Sequence, residues 1–161
     1  MSFKIREKND KDIKIVTERL IEEYGFKTMI TPAKEYQDLS ILDGFLAFEE
    51  NKLIGQILLN YDNNDCEIVE LHTKKQGVGI GTELIKKSVE KAKNKGCRRI
   101  WVSTSNDNID ALKFYQKRMF FMCKIHKNHL DKVRAKHPHI PEYGDYGILL
   151  KDQIELEMVF Q

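Results

Sequence analysis

The spacing of apolar residues switches repeatedly between a helical and a strand repeat. Between Asn9 and Gly25 apolar residues recur every three or four positions, which predicts a helix. The same spacing returns over Glu83–Lys95, with Gly96 as its expected end, and over Asn108–Lys117. Residues 26–43 and 125–146 lack a clear repeat and are predicted to be mostly loop, with some helix in the first. The predicted strands are Phe3–Glu7, Gly44–Glu49, Lys52–Tyr61, Cys66–Thr73, Arg99–Thr104, Phe120–Lys124 and one within Ile148–Phe160.

The connections between these elements predict how the strands pair. Short turns at Glu50-Asn51 and over Asp62–Asp65 favour antiparallel neighbours, whereas the helix at Glu83–Lys95 is long enough to cross over between parallel strands. A chain of 161 residues can bury a core of its own, and no linker interrupts it, so residues 1–161 are interpreted as a single domain. The predicted fold class is therefore α/β, of the α+β type, with a mixed sheet.

Composition narrows the classes of function. Charged residues make up 32% of the chain and nearly balance, at a formal net charge of +2, which argues against a nucleic-acid-binding protein. No apolar stretch approaches the roughly 20 residues of a membrane span, and Met1–Arg6 lacks the apolar core of a signal peptide. Cys66, Cys97 and Cys123 lie in or beside predicted strands. They are interpreted as buried thiols of a cytoplasmic protein with neither membrane nor nucleic-acid partners.

A glycine-rich loop joins the fourth predicted strand to the helix behind it. Its sequence is Gln76-Gly77-Val78-Gly79-Ile80-Gly81-Thr82, and its glycines let the backbone come close to a ligand. The free N–H groups at the start of a helix, together with the positive end of its dipole, suit a phosphate. The loop lacks the Gly-Lys-Ser/Thr of a P-loop and the Gly-x-Gly-x-x-Gly of a dinucleotide fold. The sequence therefore predicts an anion site of another type.

Two motifs carry a family resemblance. Gln76 to Gly81 fits the pattern Gln/Arg-x-x-Gly-x-Gly/Ala, and residues 108–115, one predicted strand later, fit Asn-x-x-Ala-x-x-x-Tyr. In this order and spacing the motifs resemble those of the GNAT superfamily of N-acetyltransferases, and the resemblance covers essentially the whole chain. It implies a largely antiparallel central sheet of about seven strands with a parallel pair at its centre and helices on both faces. It also implies transfer of an acetyl group from acetyl-CoA, as co-substrate, to a primary amine.

The resemblance implies a role for residues of both motifs. The backbone of Leu71-His72-Thr73 would hold the pantetheine arm of the cofactor, and Gln76 to Gly81 with Thr82 would hold its pyrophosphate. Asn108 would bond to the pantetheine or to nearby backbone, in a cleft where two strands splay apart. Tyr115 would protonate the leaving thiolate, which suits a phenol with an ordinary pKa of about 10. The acceptor would be a small-molecule or peptide amine, and a homodimer is compatible with the family.

The base that deprotonates the amine has two candidates on the fourth predicted strand. Similar enzymes often carry a carboxylate about nine residues before the Gln76 position, and Glu67 occupies that place. In a regular strand Glu67 shares a face with Val69 and Leu71 while Glu70 faces the other way, although a β-bulge would change this. Glu67 is therefore the predicted base, directly or through water. Glu70 as the base, and a solvated Glu67 with no catalytic role, stay open.

One departure from the family pattern lies at Met119, where a glycine usually ends the helix that carries the tyrosine. A left-handed conformation at a methionine costs on the order of 1 kcal/mol. The helix is therefore predicted to end in another way, which leaves the position of the sixth strand open.

Two alternative functions stay open, and the first of them depends on segment 125–146. It carries four histidines and several acidic residues, namely His126, His129, His137, His139, Asp131, Glu142 and Asp145. A metal-binding or interaction protein built on them is one alternative, but their spacing completes no recognised ligand pattern, so no metal is predicted. The preferred interpretation is an acceptor-binding flap in which Glu142 and Asp145 attract a cationic amine. A non-catalytic acyl-CoA-binding module, which would not depend on Tyr115, is the other alternative.

Overall fold

The computed structural model describes residues 2–161 and is built on one seven-stranded sheet. The strands and helices, in chain order, are β1 (Lys4–Glu7), α1 (Ile13–Tyr24), β2 (Met29–Ile30), β3 (Glu35–Tyr36), β4 (Asp43–Glu49), β5 (Lys52–Asp62), β6 (Asp65–Thr73), α2 (Ile80–Asn94), β7 (Arg99–Ser105), α3 (Ile109–Gln116), β8 (Phe121–His126), α4 (His129–Lys136) and β9 (Gln153–Val159). The sheet order is β1-β4-β5-β6-β7-β9-β8, antiparallel except for the parallel pair β6 and β7. The predicted mixed sheet with a central parallel pair is confirmed.

Two hydrophobic clusters lie on opposite faces of this sheet. One contains Leu84 of α2 and Ile57 of β5, and the other contains Leu20 of α1 and Leu58 of β5. Ile57 and Leu58 are neighbours in sequence but belong to different clusters, because successive side chains of a strand point to opposite faces. Helices therefore cover both faces of the sheet, as predicted.

The first helix begins and ends where the sequence indicates. The Asn9 side chain accepts a hydrogen bond from the Lys11 N–H at 2.9 Å, which caps a short 3₁₀ turn leading into α1. At the other end Gly25 adopts a left-handed conformation with φ of 82°, and its N–H donates to the Ile21 carbonyl at 2.8 Å. Local sequence is sufficient to set these boundaries.

The two segments predicted to be mostly loop contain regular elements. Residues 26–43 form the small hairpin β2–β3 and a 3₁₀ turn, and residues 129–136 form α4. The loop prediction for 125–146 was therefore wrong over this helix. Leu130 and Val133 are its buried residues, and their spacing of three gives one short apolar stripe. An apolar stripe that covers only one helical turn is too short to predict a helix from the sequence, because so short a helix needs tertiary contacts to be stable.

The end of α3 also differs from the prediction. Met119 adopts a left-handed conformation, with φ of 68°, at the place where the family pattern has glycine. The next residue, Phe120, is fully buried, and its N–H donates to the Tyr115 carbonyl at 3.1 Å. Burying a phenylalanine side chain stabilises the fold by about 2–3 kcal/mol, which outweighs a strain of about 1–2 kcal/mol. The prediction that the helix avoids this conformation was wrong for that reason.

The three cysteines have three different environments. Cys66 is buried, Cys97 is partly buried and Cys123 is exposed. Cys123 lies on the edge strand β8, where the register against β9 shifts between Met122 and Lys124 and where residues 121–125 are all exposed. The expectation of buried thiols thus holds for Cys66 and is wrong for Cys123. Among residues 2–161 no helix is long and apolar enough to cross a membrane.

Candidate active site

The parallel strands β6 and β7 separate part-way along their length. They pair only from Asp65 with Arg99 to Ile68 with Val102, although both strands continue beyond that point. The separation coincides with a bulge in β6, because Leu58 pairs with Glu70 while Leu59 pairs with Ile68, which leaves Val69 as the extra residue. The result is a cleft between the carboxyl-terminal halves of the two strands.

The glycine loop lies beside this cleft. Gly77 and Gly79 adopt left-handed conformations with φ of 75° and 86°, and Gly79 is the N-cap of α2 without any side-chain cap. The first N–H groups of α2 are therefore available to an anion at the positive end of the helix dipole. A Cβ at Gly81 would lie 3.0 Å from the Phe114 ring, so the third glycine lets α3 pack against the loop. The loop has the features of an anion site that its sequence predicts.

A cavity of about 270 Å³ runs from this loop toward α3. Its walls include half of the predicted cofactor residues, namely Leu71, His72, Thr73, Gln76, Gly81 and Tyr115. Ile80, by contrast, is buried in the α2-side core, and Val78 packs against that core. These two residues can therefore serve a ligand only through their backbone.

A second cavity, of about 460 Å³, occupies the gap between the separated strands. Glu70, Asn108 and Tyr115 line it, and it shares Leu71 and Tyr115 with the first cavity. Tyr115 is nearly buried, and burial together with the negative charge of Glu70 raises the pKa of its phenol. Tyr115 therefore carries its proton at neutral pH, at the junction of the two cavities.

Glu70 is a buried carboxyl group with two hydrogen-bond donors. It accepts from the Tyr24 hydroxyl at 3.0 Å and from the Gln56 amide at 3.0 Å, and its exposed fraction is 5%. Burial raises the pKa of Glu70 to about 7, although the bonds from Gln56 and Tyr24 oppose the shift. A carboxyl group with such a pKa can exchange a proton near neutral pH.

Glu67 lies on the same face of β6 but in a different environment. The bulge at Val69 brings Glu70 to the α1-covered face, since Glu70 pairs with Leu58 of the α1-side cluster. Glu67 accepts a hydrogen bond from the Tyr36 hydroxyl and borders a separate cavity of about 250 Å³. Burial raises the pKa of Glu67 as well. The opposite facing expected for a regular strand is thus wrong, because β6 is not regular at this point.

Asn108 and His72 have protein partners of their own. The Asn108 side-chain oxygen accepts from the Ala111 N–H at 3.1 Å and caps α3. His72 lies 3.7 Å from a Glu23 carboxylate oxygen, yet burial lowers the pKa of its imidazole. Asn108 therefore fixes the helix that carries Tyr115, and its amide also borders the cleft.

The histidine-rich segment does not converge on a metal site. His126 bonds to Glu155 at 2.8 Å, while the His137 and His139 rings contact one another with centroids 5.8 Å apart. Over residues 2–161 the structure contains no group of three or more His, Cys, Asp and Glu side chains that could hold a metal ion. Glu142 and Asp145, which were predicted to attract the amine, are exposed and do not line either cavity beside Tyr115.

Several residues around the cleft have no signal in the sequence. Tyr24 and Gln56 come from α1 and β5, far from both motifs, and meet Glu70 only because the sheet brings them together. Asp107 is buried and accepts from the Asp145 N–H at 2.8 Å, which ties the loop after α4 to the start of α3. A search for motifs cannot find contacts of this kind, because they join residues 14 to 46 positions apart.

An uncapped helix start beside two separated parallel strands is typical of proteins that bind a phosphate-bearing ligand. Residues 13–120 match the family model described as the Acetyltransferase (GNAT) family. Because this match covers more than half of the chain, the protein belongs to that family of acetyltransferases.

Two relatives from Bacillus subtilis are similar over most of the chain. YdhI, described as an uncharacterized protein, is 43% identical over 114 residues, which are 70% of this chain and 71% of YdhI. YvbK, described as an uncharacterized N-acetyltransferase, is 31% identical over 140 residues, which are 84% of this chain and 87% of YvbK.

Solved structures of acetyltransferases share the fold. A GNAT family acetyltransferase from Elizabethkingia anophelis, with acetyl-CoA bound, is 25% identical with a TM-score of 0.68 and 98% of each chain covered. A Bacillus subtilis acetyltransferase in complex with CoA is 21% identical with a TM-score of 0.67, over 99% of this chain and 98% of that one. The comparisons support acetyl transfer as the general activity and leave the acceptor unidentified.

Proposed function

We propose that this protein is an N-acetyltransferase that moves the acetyl group of acetyl-CoA to a primary amine. The observation that carries the proposal is the place of Tyr115, between a cavity that reaches the glycine loop and a cavity that holds Glu70. The first cavity is bordered by Leu71 to Thr73, predicted to hold the pantetheine arm, and by Gln76 and Gly81 of the loop predicted to hold the pyrophosphate. The second has a carboxyl group whose pKa is about 7, facing the place where an amine would attack.

The reaction asks for one proton acceptor and one proton donor. A carboxylate removes a proton from the ammonium group, and the free amine attacks the thioester carbonyl carbon. The tetrahedral intermediate collapses, the C–S bond breaks, and Tyr115 gives its proton to the leaving thiolate. The nitrogen then gives its second proton to the Tyr115 phenolate, which restores the phenol and leaves the neutral amide, and the carboxyl group returns its proton to solvent. The protein's groups thus supply the proton transfers at both ends of the reaction, and the glycine loop fixes the cofactor.

Glu70 is the better supported base of the two candidates. It shares a cavity with Tyr115, whereas Glu67 borders a different cavity and is held by Tyr36. The far wall of the cleft adds uncharged hydrogen-bonding residues, among them Thr31, Ser103 and Gln153. An acceptor with polar groups near its amine suits this wall. Glu67 as the base stays a prediction. Replacing Glu67 and Glu70 one at a time by glutamine distinguishes the two candidates.

Binding of the cofactor is the first test. Titration calorimetry with acetyl-CoA should show micromolar affinity that a Gly79→Asp variant loses, because the new carboxylate meets the pyrophosphate at the helix start. Absence of any binding to the unaltered protein would refute the cofactor site and with it the proposed function.

Turnover then separates an enzyme from a binding module. A Tyr115→Phe variant should bind CoA normally but lose about 10²-fold or more in kcat, measured with a panel of amines, because the thiolate loses its acid. Equal turnover by the variant would show that Tyr115 is not the acid. A protein that binds CoA and acetylates no amine in the panel would favour the non-catalytic module.

A further inference from the structure

Arg118 differs from every other arginine of the chain. Arg6, Arg19, Arg98, Arg99 and Arg134 each form an ion pair with a carboxylate. Arg118 forms none within residues 2–161, although its side chain is partly buried and burial lowers the pKa of its guanidinium. A partly buried cation without a carboxylate is costly unless another anion approaches it.

The guanidinium of Arg118 is held firmly beside the glycine loop. Its Nε and Nη2 donate to the hydroxyl oxygen of Thr82 at 3.0 and 2.8 Å, and its Nη1 donates to the Phe114 carbonyl at 2.8 Å. Its Cζ lies 3.6 Å from the centroid of the Phe114 ring. The same ring contacts Gly81. Arg118 is therefore fixed by two elements, at the first turn of α2.

The two bonds from Arg118 decide what the Thr82 hydroxyl can do. A hydroxyl has one hydrogen to donate and two acceptor positions, and Arg118 occupies both acceptor positions. Elsewhere in the helices Thr17 and Ser88 donate to the carbonyl four residues earlier, at 2.7 and 2.8 Å. Thr82 makes no such bond in the described chain, so its hydrogen is free to point to a ligand at the helix start.

We propose that Arg118 is a positioning residue for the cofactor's diphosphate. By filling the acceptor side of Thr82 it makes that hydroxyl a donor to a phosphate oxygen, and its unpaired charge adds to the positive end of α2. The inference rests on the proposed function, since it takes the diphosphate of coenzyme A to lie at the glycine loop. Neither motif in the sequence includes Arg118.

A double-mutant cycle on CoA affinity tests this role. Thr82→Val removes the hydroxyl with little change of shape, and Arg118→Met keeps an apolar chain against Phe114 while removing the donors. Calorimetry should give a Kd raised about tenfold by each change. The double variant should be no more than about twofold weaker than the weaker single variant, because both changes remove one donor. Lys117→Met, which removes an exposed neighbouring charge, is the matched control and should leave Kd within about twofold.

Two further readouts separate positioning from a loss of structure. With acetyl-CoA, Arg118→Met should raise KM and leave kcat unchanged. With S-acetylpantetheine, which lacks the diphosphate, its kcat/KM should equal that of the unaltered protein. A variant that is merely distorted would lose activity with both donors, and that result would overturn the inference.

The remaining outcomes are equally decisive. An unchanged Kd in Arg118→Met, or costs that simply add in the double variant, would refute the coupling to Thr82. If the unaltered protein binds no CoA, the inference falls together with the proposed function. If it binds CoA and acetylates no amine, the proposed function fails, and the cycle of affinities still decides the role of Arg118.

Discussion

Two glutamates on one strand differ because of their neighbours. Glu70 accepts from an amide and a phenol, and burial raises its pKa to about 7, while Glu67 is held by Tyr36 over another cavity. A base that is half ionised near pH 7 combines availability of the carboxylate with basicity enough to take a proton. The environment of Glu70, rather than its residue type, makes it the better candidate.

Replacing each glutamate by glutamine should separate their roles. Glu70→Gln should lower kcat/KM about 10²-fold or more because the base is lost, whereas Glu67→Gln should lower it by less than about tenfold. In the unaltered protein kcat/KM should rise with pH through about 7, as Glu70 loses its proton. Initial rates from pH 5.5 to 9 measure both effects. If kcat/KM falls further in Glu67→Gln than in Glu70→Gln, Glu67 is the base.

The raised pKa of Glu70 also predicts how stability depends on pH. The carboxyl ionises near 4.5 when unfolded and near 7 when folded, so between these values the unfolded state binds fewer protons and stability falls as pH rises. The loss levels off above pH 7, at about 3 kcal/mol or less. Glu70→Gln should remove this loss of stability, because the glutamine does not ionise and Gln56 can turn its unpartnered oxygen toward the new amide.

Urea unfolding at two pH values measures this effect. The Glu70→Gln variant should be more stable than the unaltered protein at pH 8, and the advantage should vanish near pH 4.5. A variant that is less stable than the unaltered protein at pH 8 would show that burial does not disfavour the ionised form of Glu70 in the folded protein.

At the scale of elements, the bulge in β6 controls the geometry of the site. One extra residue, Val69, directly follows the last pair with β7 and turns Glu70 to the face covered by α1. An alternating apolar pattern predicts the strand but cannot locate a bulge, because the pairing partner that defines it lies on another strand. The cleft was thus implied by the family resemblance, while the side chain that faces it was not.

Other elements show the same division between local and tertiary signals. The cap Asn9 was predicted correctly, because its side chain bonds to a residue only two positions away. The other two helix starts were less exact, since α2 begins at Ile80, before the predicted Glu83, and Asn108 caps α3 although it was predicted as its first residue. The short helix α4 was missed because its stability comes from packing of Leu130 and Val133. Predicted residues of the two motifs therefore came close to the cleft, and the partners of Glu70 were found only in the structure.

The left-handed residue after α3 allows a test at this scale. Met119→Gly should raise the free energy of unfolding by about 0.5–1 kcal/mol, since glycine relieves the strain at φ of 68° but has more entropy to lose on folding. Met119 is 61% exposed, so little packing is lost. Guanidinium unfolding measures the change, and Met119→Ala, which keeps the strain, is the control. A gain in the alanine variant as large as in the glycine variant would contradict the strain.

At the scale of the whole molecule, the strand β9 completes the sheet by inserting between β7 and β8. The order β7-β9-β8 places β9 between two strands that precede it in sequence. It pairs with β7 from Ser105 to Arg99 and with β8 from His126 to Phe121, and Leu156 is fully buried in the core under α2. Among residues 2–161 the strand β8 pairs with no other strand of the sheet, so the half of the fold that contains β7 and β8 depends on β9 being in place.

Removing residues 153–161 should therefore prevent folding rather than trim an edge. The truncated chain loses both ladders of β9 and the salt bridges of Arg99 to Glu155 and Glu157, together with Leu156, whose burial alone stabilises the fold by about 2 kcal/mol. Such a loss approaches the whole stability of a domain, about 5–15 kcal/mol. Circular dichroism and a thermal melt should show no cooperative transition, whereas removal of Gln161 alone should leave the melting temperature unchanged. A cooperative melt in the truncated chain would show that β1 to β7 fold without the strand that completes the sheet.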